Sequence, residues 1–567
     1  MSRKKKILVA IVLVAVIWLI WRLIPRRPEQ DEAMAAGIPV TFFDQAANEP
    51  DFFRELDGGL PLTQEQVRGR NTWMVWTGGN EAFWDYLASN SFGTFDLLKT
   101  ISSFPCSPQQ EANAAAFEQK TGRQATPGDY DGHGYDWAYA GACKDTMYPP
   151  ASGGPFRAYS RDSRFCFTGL VNEPGFRKAT KPDQYGLCLD ERVDSNDPFD
   201  PKVYGRPTGV LGLRVYDNPN FDDKAKAKWM EAMKSDGFYT NPDFFFDREL
   251  VRPYRVGMAC SFCHVSPHPN NPPADPENPQ MANLSATIGA QYFWFGRIFA
   301  PNVTSDNFVW HLLDTQRPGA VDTSFVPADN LNNPRAMNAL FHLGERLANG
   351  TRMAPETSAG GALLLPEVAK QKDNDYTFGV PHVLWDGADS VGIDAALTRV
   401  YINIGEYHQE WVKHINLILG AVPQSPITVE AAQENSIYWQ ATQKRSADLA
   451  KYLVAASRPM PLAQTPGGAA YLAGGGDAAA HGQVLDRGKV LFAETCARCH
   501  SSKLPAQPAS QKGIPRIGEK GCIGEGYGEC FQQWWDWTET PQFKSQMTAM
   551  VRQPDFFTNN YLSNDVR

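Results

Sequence analysis

Residues 257–267 read GMACSFCHVSP, and residues 485–505 read LDRGKVLFAETCARCHSSKLP. Both stretches contain Cys-x-x-Cys-His: Cys260, Cys263 and His264 in the first, Cys496, Cys499 and His500 in the second. Three chemistries use paired cysteines at this spacing. A zinc site needs a second ligand pair at finger-like spacing, and Pro267 separates His264 from His268, which argues against a helical histidine pair. A thioredoxin-like disulfide exchanger needs a strand before the motif and a helix after it, but Pro267 and Pro269 break any helix following the first motif. Covalent haem attachment needs what both copies supply. Two thiols three positions apart reach the two vinyl-derived carbons of one porphyrin, and the adjacent histidine is delivered beneath the iron. Recurrence of the motif favours this third chemistry. The sequence therefore predicts two covalently bound haem c groups. Cys260, Cys263, Cys496 and Cys499 are the attachment residues, and His264 and His500 are the proximal iron ligands.

The two sites differ in what precedes them. Before the second motif, Gly488 and Phe492 lie on an amphipathic segment opening at Asp486, with Val490, Leu491 and Phe492 forming an apolar face. That is the N-terminal helix of a class I cytochrome c fold. The first motif follows LVRPYRVGMA, where Pro253 excludes such a helix, so its pocket is built differently. Whether each iron has a sixth protein ligand decides between ligand access and pure electron transfer. Met547 and Met550 stand where a class I domain places its methionine. His408 and His414, in RVYINIGEYHQEWVKHI, point about 120° apart on one helix and cannot serve one iron together. Residues 290–299 (AQYFWFGRIF) and 380–392 (VPHVLWDGADSVG) are candidate walls of the first pocket. Arg297 and Asp389 are candidates to meet haem propionates or each other.

At 567 residues the chain exceeds a single core, and its net charge of −9 does not fit a nucleic-acid binder, which shows a clustered basic face. Arg3, Lys4, Lys5 and Lys6 precede the charge-free apolar run 7–21. Extended to Pro25, that helix spans about 28 Å at about 1.5 Å per residue, close to the hydrocarbon thickness. Pro25-Arg-Arg-Pro28 and three acidic residues separate it from the cleavage-like Ala33-Met34-Ala35, which favours an uncleaved anchor over a signal peptide. The expected location is the bacterial inner membrane, crossed once, with the bulk of the chain in the periplasm. There, Cys106, Cys143, Cys166, Cys188, Cys522 and Cys530 are expected in disulfides. The first four allow three pairings, and Cys522 with Cys530 could close one Gly-rich loop. The expected fold class is mainly α with extensive irregular loops: two cytochrome c-like haem cores plus the N-terminal transmembrane helix. The predicted organisation is a basic tail and anchor (1–28), an irregular disulfide-stapled region (29–245) and a first haem domain (246–457). A flexible linker (458–483) and a second cytochrome c domain (484–567) follow.

VRPYRVGMACSFCH, NNPRAMNALF, DGADSVGIDAALTRVYINIG and RGKVLFAETCARCHSSK, together with NTWMVWTGGNEAFWDYL, resemble the rubber-oxygenase-like di-haem cytochromes c. These are relatives of the bacterial di-haem cytochrome c peroxidases and methylamine-utilisation di-haem enzymes. The resemblance implies a loop-rich fold around two cytochrome c-like cores, a first haem whose open face admits oxygen, and a six-coordinate second haem. Only the six motif residues carry over position by position. Polyisoprene cleavage is not inherited, because the rubber oxygenases are secreted and this chain carries a predicted anchor. Similar members continue beyond the point where this chain ends, at NNYLSNDVR; two alternatives stay open, a fragment with an incomplete second haem pocket or a small cytochrome domain of 80-odd residues. Two functional readings stay open. In one, the first haem activates oxygen or peroxide while the second relays electrons. In the other, both haems are six-coordinate and only transfer electrons. The partners implied are the membrane, through the N-terminal helix, and a redox protein or small-molecule oxidant, with no nucleic acid.

Overall fold

The computed structural model describes residues 30–90, 96–121, 160–286 with short gaps, 293, 298, 356–357, 379–380, 434–456, 464–472, 478–501, 503–506 and 527–556. Among these, helix accounts for 51% and strand for 9%, which makes the class mainly α. No helix among the described residues is long and apolar enough to cross a membrane. The apolar run 7–21 lies outside them, as do the segments around Arg297, Asp389, His408 and His414.

The helices that matter for the motifs are α1 (Gln64–Val75), α2 (Glu81–Asn90), α3 (Pro108–Thr121), α4 (Asp223–Ala232), the single turn α5 (Ser261–His264) and α6 (Ile437–Ala456). Further on come α7 (Ala478–Leu491), the short α8 (Ala497–His500), α9 (Tyr527–Glu539) and α10 (Pro541–Val551). Three short strands, β1 (Arg206–Pro207), β2 (Leu213–Asp217) and β3 (Tyr254–Met258), form an antiparallel sheet in that order. Leu213 pairs with Met258 and Asp217 with Tyr254.

Helix α1 starts in a capping box: Thr63 accepts from the Gln66 amide, and the Thr63 amide donates to Gln66 Oε1 at 2.9 Å. Its long partner is α6, whose first turn is held by buried Asp31. That carboxylate accepts from Ser436 Oγ at 2.7 Å and from the Tyr438 amide at 2.9 Å. The helices cross at Gly69, where a Cβ would lie 2.1 Å from the Asp448 carbonyl oxygen. Across the crossing Trp76 Nε1 donates to Thr442 Oγ1 at 3.0 Å, and the Arg445 guanidinium sits 3.9 Å above the Trp76 ring. A cation–π contact this well buried contributes about 2 kcal/mol. Phe43, Phe53, Phe199 and Tyr204 complete this first core.

A second core gathers α2, α4 and the sheet around Phe83, Trp84, Phe104, Leu213, Trp229 and Phe238. It contains the disulfide Cys106–Cys188, with Cα atoms 5.6 Å apart, which ties the chain just ahead of α3 to a segment 82 residues on. Cys166 is also disulfide-bonded. The expectation of disulfides among the upstream cysteines is met at these three residues; Cys143, Cys522 and Cys530 have no described side chain. Strands β2 and β3, drawn from either side of position 245, are neighbours in one sheet, and α1 packs on α6. The described residues within 30–286 and 434–456 thus share their cores.

The third core lies in the C-terminal segments. It joins Ala493, Ala497, Trp534, Trp537, Phe543, Met547 and Val551. Helix α7 opens at Ala478, earlier than the Asp486 expected, and Gly468–Leu472 is helical too, both within the stretch read as a connector. The alanines of AGGGDAAAHG and GGAAYL explain this, since alanine is the best helix former and offsets the neighbouring glycines.

Candidate functional site

The first motif sits where the two large cores meet. Cys260 and Val265 pack into the core of α1 and α6, whereas Phe262 and Cys263 belong to the core of the sheet and disulfide. Strand β3 delivers the motif, as the helix-breaking Pro253 requires, and α5 is a single turn that ends before the β-bridge at Ser266 and Pro267. A strand does therefore precede the cysteines, but the long helix of a thioredoxin-like exchanger does not follow them.

Three contacts fix the motif backbone. Asn80 reads the free edge of β3, its Nδ2 donating to the Met258 carbonyl at 2.7 Å and its Oδ1 accepting the Met258 amide at 2.8 Å. The Ala259 amide donates to the Gly212 carbonyl at 2.8 Å. Ser261 Oγ donates to the Met74 carbonyl at 2.9 Å, fastening α5 to α1. Gly212 has φ +80°, and a Cβ on it would lie 2.2 Å from the Phe262 backbone nitrogen. Only glycine fits this approach.

The chemistry of the three motif residues separates the candidate roles. Cys260 and Cys263 are thiols in a chain that oxidises Cys106 and Cys188. Burial, with a smaller contribution from Cys260, pushes the Cys263 thiol well above its ordinary range. A dithiol exchanger works through lowered thiol pKa values, so this one is poorly suited to exchange. Burial also pushes the His264 imidazole down to about 4. It is neutral at physiological pH, which leaves a ring nitrogen lone pair for a metal. Its ring lies 5.4 Å from that of Trp73, tilted by 38°. His268 turns elsewhere, its Nδ1 accepting from the Asn270 amide at 3.1 Å. Among the described residues no three His, Cys, Asp or Glu side chains converge as a metal-binding group, those of Cys260, Cys263, His264 and His268 included.

The groups around the motif include buried donors that lack acceptors. Arg70 is wholly buried; one guanidinium nitrogen meets Asp51, while Nε and Nη1 have no partner among the described residues. Trp73 Nε1 is likewise unmatched, with the residue 5% exposed. Buried polar groups in native proteins are almost always satisfied; of these two residues Trp73 packs on the His264 ring, and Arg70 lies one helical turn away from Trp73. Sequence reasoning missed both residues. Trp73 figures there only within NTWMVWTGGNEAFWDYL and Arg70 not at all; both carry unmatched donors, as Trp439, Trp537 and Arg445 also do. A cavity of about 600 Å³, edged by Asp183, Asp190, Arg192, Arg206 and Tyr254, lies away from the motif and contains none of its residues.

The second motif closes a near-continuous helix. α7 runs into a π-helical turn at Phe492–Cys496 and then α8, so Cys496 lies at the junction and is exposed. Such turns insert one residue and often mark functional sites. Of the expected apolar face, Phe492 packs on the core whereas Leu491 is 52% exposed. Met547 is fully buried on α10, in the same core as Ala493 and Ala497, and Met550 packs at its edge. Arg498 stacks 4.5 Å from the Trp535 ring and pairs with Glu539, tying α8 to α9. The side chains of Cys499 and His500 lie outside the described residues. No family model, curated protein or solved structure matches this chain.

Proposed function

We propose that this chain is a membrane-anchored, periplasm-facing c-type cytochrome with two covalently attached haems, resembling the rubber-oxygenase-like di-haem proteins. Cys260 and Cys263 hold one haem, Cys496 and Cys499 the other, and His264 and His500 are the proximal iron ligands. The observation that carries this reading is the first motif: two thiols on one helical turn, beside a buried neutral imidazole, in a chain that elsewhere forms disulfides. Such disulfides accord with a periplasmic location.

Bound haem would supply one-electron chemistry between ferrous and ferric iron. The residues do the rest. Cys260 and Cys263 would hold the haem covalently through their thiols, so that it could not dissociate. His264, kept neutral by burial, would be the residue that holds the iron. Asn80, Gly212 and Met74 hold the motif backbone in register. At the second site Met547 and Met550 lie on the helix packed against the motif-bearing turn, which supports their candidacy as the sixth ligand.

Of the two functional readings, we favour ligand access at the first haem, because its motif hangs from a strand rather than from the helix of an electron-transfer cytochrome. The alternative is electron transfer alone through two six-coordinate haems. Low-temperature EPR and optical spectra, with and without cyanide, carbon monoxide and peroxide, decide between them. A ligand-responsive haem lost on His264 substitution supports the first reading. Two low-spin haems inert to every ligand would establish the second.

A further inference from the structure

Helix α1 presents Arg70 and Trp73 one turn apart, and Trp73 touches the ring of His264. Both side chains are more than nine-tenths buried, and between them they offer three donor nitrogens that meet no acceptor among the described residues: Arg70 Nε, Arg70 Nη1 and Trp73 Nε1. The nearby acids are engaged. Asp51 takes only Nη2 of Arg70. Asp57 accepts from Tyr452 Oη at 2.7 Å, from the Ala286 amide at 2.7 Å and from Ser285 Oγ at 3.0 Å. A buried guanidinium with two unmatched donor nitrogens is among the costlier arrangements a core can hold. It persists where a bound anion offsets it, and a carboxylate matches a guanidinium best.

We propose that Arg70 and Trp73 form a carboxylate-binding pair that takes a propionate of the haem held at Cys260 and Cys263. The inference rests on the haem reading above and adds to it: it assigns a polar anchor from a helix almost 200 residues upstream of the motif. Arg70 provides charge and direction, and the Trp73 indole N–H closes the site on the His264 side. Both are positioning residues, since each would act on a propionate and not on the iron. Ser261 Oγ on the Met74 carbonyl keeps α1 in register with the motif, so the anchor and the attachment cysteines move together.

The test uses the full-length, haem-loaded protein and two readouts independent of catalysis: resonance Raman of the propionate bending modes, and potentiometric titration of both haems. Trp73→Phe keeps the ring and removes one donor; Arg70→Gln removes the charge; Arg70→Lys restores it without the planar fork. The expected result is a shift of one haem's propionate band in Trp73→Phe and in Arg70→Gln. The midpoint of that same haem should move to lower potential in Arg70→Gln and recover in part in Arg70→Lys, with the other haem unmoved. An unshifted band in haem-loaded Trp73→Phe would overturn the pairing even if Arg70→Gln fails to accumulate, and would mean that water fills the site. Wild-type protein without haem on the peptide containing Cys260 would overturn the haem reading and the pairing together, which distinguishes the two failures.

Discussion

Gly212→Ala isolates the contact that positions the first motif. Gly212 has φ +80°, and an added Cβ would lie 2.2 Å from the Phe262 nitrogen, 2.6 Å from its Cα and 2.7 Å from Ser261 Oγ. Two of these are backbone atoms, so no rotamer change relieves the overlap. Gly37 is the control, because it has φ +69° and no atom within 4 Å of the position a methyl group would take. Alanine at Gly37 carries the left-handed backbone cost alone, about 1–2 kcal/mol. At Gly212 the same cost is joined by overpacking of about 1–3 kcal/mol as α5 is pushed off the sheet. Gly212→Ala should therefore destabilise the protein by about 2 kcal/mol more than Gly37→Ala in urea denaturation followed by tryptophan fluorescence. Displacing α5 also strains the hydrogen bonds at Ala259 and Ser261, so less haem should be recovered on the tryptic peptide containing Cys260. Equal costs for the two variants, with full haem on that peptide, would refute the claim that this approach sets the motif.

Replacing both Cys106 and Cys188 by serine opens a crosslink spanning 82 residues, for which chain entropy predicts a loss of about 4.5 kcal/mol, measurable as a fall in urea midpoint. Asn80→Ala removes both hydrogen bonds to Met258 and should cost about 1–3 kcal/mol, with faster amide exchange at Met258 as its local signature. Glu277, 6% exposed, has its carboxyl pushed up to about 7 by burial, although it accepts amides from Phe165 and Cys166. A raised acid binds its proton more tightly in the folded state. Its contribution is thus present below about pH 4.5 and lost as pH rises through about 7, by up to about 3 kcal/mol. Glu277→Gln should flatten the stability–pH profile in that window, and a profile as steep as wild type would contradict the assignment.

What could be read from the sequence was local. Cys-x-x-Cys-His needs five consecutive residues, so both motifs were visible, and Pro253 was enough to show that the first lacks a preceding helix. The mainly helical class was implied by the cytochrome c-like motif context and the family resemblance rather than by composition or periodicity. The choice of Cys106–Cys188 among three pairings was not legible, because it depends on how a segment 82 residues away folds back. Nor was the start of α7, where an alanine run outweighs the glycines around it. Arg70 and Trp73 were the least visible. Within GRNTWMVW nothing separates a donor aimed at a missing acceptor from a core side chain, and the distinction exists only once α1 has packed beside His264.

The most direct test of the central claim is the intact mass of the denatured, extracted protein, read together with its pyridine haemochrome spectrum. Matured in a host that attaches haem c, the chain should exceed its sequence mass by two haem groups. Cys260→Ala with Cys263→Ala, and Cys496→Ala with Cys499→Ala, should each remove one. A chain at its bare sequence mass, or one that loses its whole haem complement on extraction, would contradict the account.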